Sequence, residues 1–210
     1  MLPKPLFDLA LKLQYFPGVG VRSSQKLALD LLELEPDKYQ ELLEALSSVR
    51  AQIKFCAQCG FFAEEGAKDG LCDICRDSRR KPKQICLVEK PTDVLTVEKS
   101  EIFKGHYHVL ENLISPLDNV FAEHTTLGAL VERIKTLLDT PGATVELILF
   151  FKAGFSGEAT TAYLKDLLSE RGLTEQVTIT RLAQGLPMYY NPDTLDQATM
   201  VRALEDRREV

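Results

Sequence analysis

Four of the chain's five cysteines form two C-x-x-C pairs, and this spacing constrains the local fold more than any other feature of the sequence. The four residues are Cys56, Cys59, Cys72 and Cys75. Each pair supplies two thiolates from one tight turn, and two such turns complete the tetrahedral S₄ cage of a structural zinc site. Two redox dithiols are the alternative, but a reducing compartment favours metal over disulfides at this spacing. We predict a structural, non-catalytic Zn²⁺ here.

The bulk composition indicates a folded protein with one medium domain and one or two small ones. Of 210 residues, 45% are hydrophobic, and 25 basic against 31 acidic residues give a formal net charge of −6. An acidic chain has no overall positive field, so any contact with nucleic acid has to come from local basic clusters. The sequence has neither a charged-then-apolar leader nor a membrane-length apolar run. We therefore expect a cytoplasmic protein without a membrane partner.

Helical periodicity dominates the chain before the cysteines. The second of three amphipathic segments is expected to bury Leu27, Ala28, Leu31 and Leu32 on one face. Helix ends are indicated by Pro17-Gly18 and by Pro36. The three predicted helices span residues 6–13, about 23–35, and 39–53.

Strands and helices alternate after the cysteines, which is typical of a parallel sheet with crossover helices. The most apolar run, residues 145–151, is the best candidate for a central strand. Cys86 lies in another apolar run and is expected to be buried in a strand. The predicted strands are 85–88, 107–110, 145–151 and 177–180, and the predicted helices are 93–98, 127–138, 158–171 and 195–204.

The turn between the first two helices is a candidate phosphate site. Gly18 and Gly20 let the backbone turn tightly and approach a phosphate, and the second helix begins with its positive dipole end at that point. Arg22 and Lys26, one helical turn apart, would add charge beside it. A plain helical connector is the alternative interpretation of this segment.

Glu89 follows a predicted strand directly. In open α/β sheets the strand ends line the ligand crevice, so this carboxylate is a candidate metal ligand or general base. A solvated loop glutamate is the alternative. The loop after the central strand, 152–158, reaches the same edge of the sheet and contributes Glu158, which is also well placed to favour a helix N-terminus.

A basic run follows the last cysteine. Its positive side chains could track a sugar–phosphate backbone or could belong to a solvated linker. Arg79 and Arg80 are the residues predicted to contact DNA, and the run also contains Arg76, Lys81 and Lys83. The three histidines have no ligand-like pairing with acids and are interpreted as part of the scaffold: His106, His108 and His124.

The order of these modules closely resembles the bacterial RecR recombination mediators over nearly the whole chain. Besides the cysteines, the most specific segments are FPGVGVRSSQKLALDLL (16–32), ICLVEKPTDVLTVE (85–98) and GHYHVLENLISPLDNV (105–120). The segments GEATTAYL (157–164) and TLDQATMVRALEDRRE match more loosely. The resemblance implies an α/β fold class with an N-terminal helical hairpin domain (1–54), a four-cysteine zinc module (55–83), a Toprim-like parallel-sheet domain (84–183) and a short C-terminal segment (184–210).

The resemblance also implies a function. In that family the helix-hairpin-helix contacts DNA, and Arg22 and Lys26 fall where the family carries its basic hairpin residues. Family members form rings that encircle or clamp DNA, and they act with RecO and RecF to place RecA on gapped single strands. This implies a non-catalytic, nucleoid-associated homo-oligomer, a dimer or a tetrameric ring, that binds single-stranded, gapped or duplex DNA.

Two loops depart from the pattern of the family. Catalytic Toprim domains combine the first glutamate with a D-x-D pair that holds Mg²⁺, whereas this chain has Lys152 and Gly154 at those positions. A lysine opposes metal binding, and glycine has no side-chain ligand. Ser156 replaces an acid of the family's loop, and residues 189–192 replace its G-G-x-L-E-Y stretch. The alternatives are a Toprim phosphoryl-transfer enzyme using Glu89 and Mg²⁺, and a partner-binding scaffold that has lost DNA contact.

Overall fold

The computed structural model describes residues 2–140, 142–152, 154–183 and 196–205, together with Leu186 and Asn191. The chain forms two compact units, Met1–Ile53 and Lys54–Val210. Most of the stretch between residues 184 and 195 lies outside the described residues, including every position of the departure at 189–192 except Asn191.

Three helices make up the first unit: α1 (Lys4–Leu13), α2 (Val21–Leu32) and α3 (Pro36–Gln52). Small buried residues, Ala10 on α1 and Ser24 and Ala28 on α2, form the contact region of this unit. The expected burial of α2 is correct for Ala28 but wrong for Leu27 and Leu32, whose exposed fractions are 42% and 69%. Helical periodicity shows that a face is apolar but not that the same chain covers it.

A small module with little regular structure contains the cysteines. The strands β1 (Ile53–Phe55) and β2 (Phe62–Glu64) form a two-stranded sheet, and one short helix, α4 (Asp73–Arg76), begins just after Cys72. The first cysteine pair lies in the turn between β1 and β2, and the second lies at α4. The chain brings both pairs together with few hydrogen-bonded elements, so the cysteines themselves organise this module.

Four parallel strands form the main sheet, in the order β4-β3-β5-β6. Val88 at the end of β3 is in register with Val109 of β4 and Phe150 of β5. The strands are β3 (Lys81–Val88), β4 (Gly105–Val109), β5 (Val145–Phe150) and β6 (Val177–Arg181), and the remaining helices are α5 (Pro91–Glu98), α6 (Leu127–Leu138), α7 (Phe155–Glu170) and α8 (Gln197–Glu205).

The two faces of the sheet bury different sets of side chains. One face, which includes Leu87 and Leu147, packs with α6 and α7 in the larger core. The other face buries Cys86 and Val109 with α5, and the cysteine module adds Phe61 and Ile74 to this second core. The buried position of Cys86 in β3 agrees with the prediction. Among the described residues, no helix has the length and apolar character that a membrane span requires.

The predicted α/β class is confirmed, with N-terminal helices, a four-cysteine cluster and a parallel sheet. Two boundaries differ in ways that matter for the function. Strand β3 begins at Lys81, so Lys81 and Lys83 belong to a strand rather than to a linker. Helix α7 begins at Phe155 instead of residue 158, which places Ser156 inside its first turn.

Candidate metal centre, hairpin and sheet-edge crevice

The four predicted ligands meet at one point. Their sulfur atoms all lie within 4.8 Å of one another, and the Sγ atoms of Cys59 and Cys72 are 3.6 Å apart. Cys56, Cys59 and Cys72 are buried, and Cys75 is half-buried. A tetrahedral zinc site with Zn–S bonds of about 2.3 Å needs S···S separations of about 3.8 Å, so the cluster has the right size. The residues can hold a metal ion in a closed four-sulfur site.

Backbone amides support the same cluster. The amide of Cys72 donates to Cys56 Sγ at 3.3 Å, and the amide of Phe61 donates to Cys59 Sγ at 3.5 Å. Gly60, which lies between Cys59 and Phe61 in the chain, has φ +74°, a left-handed conformation that glycine adopts without strain. Amide donors favour thiolate ligands, because they stabilise the charged form of sulfur. The local backbone is therefore compatible with a metal–thiolate cluster.

The predicted hairpin is present between α1 and α2. Gly18 has φ +85°, and Gly20 is the N-cap residue of α2, whose carbonyl accepts the Ser24 amide at 2.9 Å. Arg22 and Lys26 are both exposed on α2, and neither forms an ion pair or hydrogen bond with the described part of the chain. The turn thus presents two unpaired cations beside a helix N-terminus.

The basic run after Cys75 is largely neutralised by its own neighbours. Arg79 is 89% exposed and binds both oxygens of Asp77, at 2.8 and 2.9 Å, which lowers the pKa of Asp77 to about 2. Arg80 is only 12% exposed and donates two hydrogen bonds to Glu98, at 2.9 and 2.5 Å. Arg80 therefore joins β3 to α5 in this fold, whereas Arg79 remains accessible.

The partner of Arg80 is itself embedded in a small network. Burial acts to raise the pKa of Glu98, but hydrogen bonds from Arg80 and from the Tyr107 hydroxyl outweigh it and hold that pKa below its ordinary value. Burial, together with the hydrogen bond to Glu98, raises the pKa of Tyr107. Nothing in the sequence links residues 80, 98 and 107, so this network could not be found before the fold.

Glu89 lies where predicted, at the carboxyl end of β3. It lines a crevice of about 340 Å³ that is also lined by Asp93, Lys152 and Arg181. An adjacent hollow of about 390 Å³ shares Glu89 and Lys152 and adds Gly154 and Ser156. Glu158 accepts a hydrogen bond from Arg181 at 2.5 Å. The crevice thus combines the Toprim-type glutamate with a lysine and an arginine. Of the three departures, position 152 borders both the crevice and the hollow, whereas positions 154 and 156 border the hollow only.

One further cluster has no signal in the sequence. His106 and His108 lie on one face of β4, and Arg133 of α6 contacts His106. The Arg133 guanidinium donates to Tyr107 O at 2.6 Å and faces His106 Nδ1 at 3.2 Å. Burial, with a further contribution from Arg133, lowers the pKa of His108 to about 4.

Comparison with known proteins covers both units. Residues 7–50 match the helix-hairpin-helix profile of RecR, and residues 83–183 match the Toprim domain profile. A protein of Streptomyces coelicolor named "Recombination protein RecR" is 40% identical over 201 residues, which is 96% of this chain and 94% of that protein. The chain belongs to the RecR family. Proteins of the same name from Acidothermus cellulolyticus and Synechococcus elongatus are 39% and 38% identical, over 97% and 99% of this chain and 96% and 97% of their own lengths.

Membership of the RecR family confirms the resemblance inferred from the motifs. The helix-hairpin-helix match falls within the first compact unit, and the Toprim match spans the four-stranded sheet from β3 to the end of β6. The cysteine module occupies the stretch between the two matches. The two matches therefore account for the N-terminal helices and the sheet in their observed order.

Proposed function

We propose that this chain is a non-catalytic recombination and repair protein that binds DNA and helps to load a recombinase onto gapped single strands. The observation that carries the proposal is the pair of exposed, unpaired cations, Arg22 and Lys26, on a RecR-type hairpin. The names of its relatives support the recombination role.

Charge sets the character of the proposed DNA binding. The chain has a net charge of −6, so binding has to rely on the hairpin turn at Gly18 and Gly20, with Arg22 and Lys26 as phosphate contacts. Arg79 is a secondary candidate, because an exposed ion pair such as Arg79–Asp77 is weak and opens readily. Arg80 is not part of the proposed surface, because its side chain is largely buried and is paired with Glu98. Affinity should fall steeply with salt.

Partners and assembly are also proposals. RecO-type and RecF-type proteins remain the expected partners, and a dimer or tetrameric ring remains the expected assembly. In the first unit a groove of about 580 Å³ is lined by apolar side chains, including Leu6, Leu9 and Leu31, and α3 has no buried residue. Exposed apolar helix faces of this kind usually become buried against another protein surface, which supports self-association of the chain.

Catalysis by a Toprim mechanism is the second candidate, because Glu89 does line a crevice. The residues around it argue against a metal-dependent phosphoryl transfer: Lys152 brings a positive charge to the same crevice, and Gly154 has no side-chain oxygen. We therefore propose that the site is not catalytic. Mg²⁺-dependent DNA cleavage that disappears on Glu89→Gln would overturn this proposal.

The hairpin test compares three proteins on gapped, single-stranded and duplex DNA over a salt series. Arg22→Ala/Lys26→Ala should weaken binding to all three substrates and flatten the dependence of affinity on salt, because phosphate contacts are lost. Lys38→Ala/Arg50→Ala on α3 removes the same charge from another exposed site and should have a smaller effect. Unchanged affinity of the hairpin variant at low salt would contradict the proposal. Adding a RecO-type protein separates a loader from a scaffold without DNA contact.

A further inference from the structure

The cysteine module docks on the edge of the main sheet. The amide of Val109, the last residue of β4, donates to Cys59 O at 2.8 Å. A Cβ added at Gly60 would lie 3.1 Å from the Val109 Cβ, so the turn that carries the first cysteine pair approaches β4 as closely as side chains allow. The position of this turn therefore depends on groups in the sheet as well as on the metal ligands.

Arg133 of α6 makes a second connection between the first cysteine turn and the sheet. Its Nη1 donates to Tyr107 O at 2.6 Å and points to Gln58 O at 3.4 Å, and Nη2 lies 3.2 Å from His106 Nδ1. Gln58 stands between the ligands Cys56 and Cys59. One guanidinium on α6 thus contacts edge strand β4 and the backbone of the first cysteine turn at the same time.

The charge of Arg133 has no carboxylate partner in the described part of the chain. All of its hydrogen-bond acceptors are uncharged, and its Nε is shielded from solvent without a partner among the described residues. Burial lowers the pKa of Arg133, and the cysteine sulfurs are the groups that oppose this effect. Zn²⁺ with four thiolates carries a net charge of −2. A metal-loaded cluster would therefore supply negative charge that complements Arg133.

We propose that Arg133 is a positioning residue of the metal centre, which holds the first cysteine turn against β4 and α6 and balances part of the negative charge of the loaded cluster. This inference rests on the proposed zinc site. Groups outside the direct ligands orient those ligands and tune their charge, and their loss typically weakens metal affinity by about 10- to 100-fold. Arg133 fits this role through its hydrogen bond toward the turn and through its charge.

The test uses full-length protein and follows zinc transfer to a competing chelator. Arg133→Met removes the charge and the donors while keeping an unbranched apolar stem, and should weaken zinc retention by about 10- to 100-fold. Arg133→Lys keeps the charge but loses the forked donors of the guanidinium, so it should retain zinc better than the methionine variant and less well than the wild type. Lys135→Met removes one charge from the solvent side of α6 and should behave like the wild type.

The outcomes are distinct. Folded Arg133→Met that retains zinc as tightly as the wild type would overturn the proposal, as would Arg133→Lys and Arg133→Met losing zinc equally. If the methionine variant fails to fold, the comparison of Arg133→Lys with Lys135→Met decides, because weaker retention in the first alone supports the role of Arg133 and equal retention contradicts it. A wild-type protein that neither contains nor binds zinc would instead reject the zinc assignment, and Arg133 would lose its proposed role with it.

Discussion

At the scale of single residues, His108 shows how the fold controls ionisation. It is 3% exposed on β4, and its Nε2 lies 3.0 Å from the Thr126 hydroxyl oxygen. Burial first, and then the nearby charge of Arg133, lowers its pKa to about 4. The imidazole is therefore neutral in the folded protein at neutral pH, which fits a scaffold role.

Stability should fall as the pH falls below the unfolded pKa of histidine, about 6.5. In this range the His108 side chain is protonated in the unfolded chain, but in the folded protein it stays neutral until the pH approaches 4. Unfolding is therefore favoured progressively as the pH falls from about 6.5 to about 4. From pH 7 to pH 5, the contribution of His108 to the free energy of unfolding should fall by about 2 kcal/mol. His108→Gln should show a shallower dependence of the unfolding free energy on pH than His124→Gln, an exposed control. NMR signals of the His108 ring that titrate near pH 6.5 would contradict the expectation.

A second residue-scale feature is the close approach at Gly157. A Cβ added there would lie 2.1 Å from the Lys152 carbonyl oxygen, a backbone atom that cannot move away easily. Gly157→Ala should therefore lower the free energy of unfolding by about 1–3 kcal/mol and disturb the loop that borders the crevice. Gly128→Ala in α6 meets nothing within 4 Å and should leave stability equal or slightly higher. Denaturant unfolding of both variants gives the comparison.

At the scale of elements, the cysteine module has little internal structure besides its four cysteines, and its other support comes from its contacts with the main sheet. Its regular structure consists of β1, β2 and the four-residue helix α4, and a structural zinc contributes folding free energy directly. Cys56→Ser should lower zinc content and thermal stability together. Cys86→Ser alters a buried thiol that lies outside the cluster and should keep the full zinc content. A stable Cys56→Ser protein without metal would show that the module does not need zinc.

The elements also show which parts of the molecule a sequence can specify. Cysteines in two short pairs predict their own cluster, because each pair is local and the metal geometry does the rest. The apolar patterns of the sequence predicted the bounds of α6 and β5 closely. The Arg80–Glu98 pair and the contact of Arg133 with Gln58 join residues 18 and 75 positions apart, and they depend on which elements the topology makes neighbours. The run of basic residues predicted a DNA contact at Arg80, but the sequence could not show that the fold pairs this residue with Glu98.

At the scale of the whole molecule, exposed apolar residues on α3 allow the proposed self-association to be tested. Leu46 and Val49, three residues apart on one side of the helix, are 61% and 62% exposed. Light scattering should give a mass above the 23.5 kDa of one chain. Leu46→Glu/Val49→Glu should lower that mass without unfolding the chain, because neither residue is buried within it. Gln40→Glu, on another side of α3, should leave the mass unchanged. A wild-type monomer at high concentration would contradict the ring.

The docking of the cysteine module has a consequence for solubility. Strand β4 is at one edge of the sheet, yet all five of its residues are buried, and the hydrogen bond from Val109 to Cys59 lies at its carboxyl end. An uncovered edge strand is a template on which another chain can add a strand. Because the module contacts the carboxyl end of β4, we expect it to limit edge-to-edge aggregation. Oxidation of the cysteines, or removal of the metal that they are proposed to hold, should then promote precipitation through the sheet, even where the sheet itself stays folded.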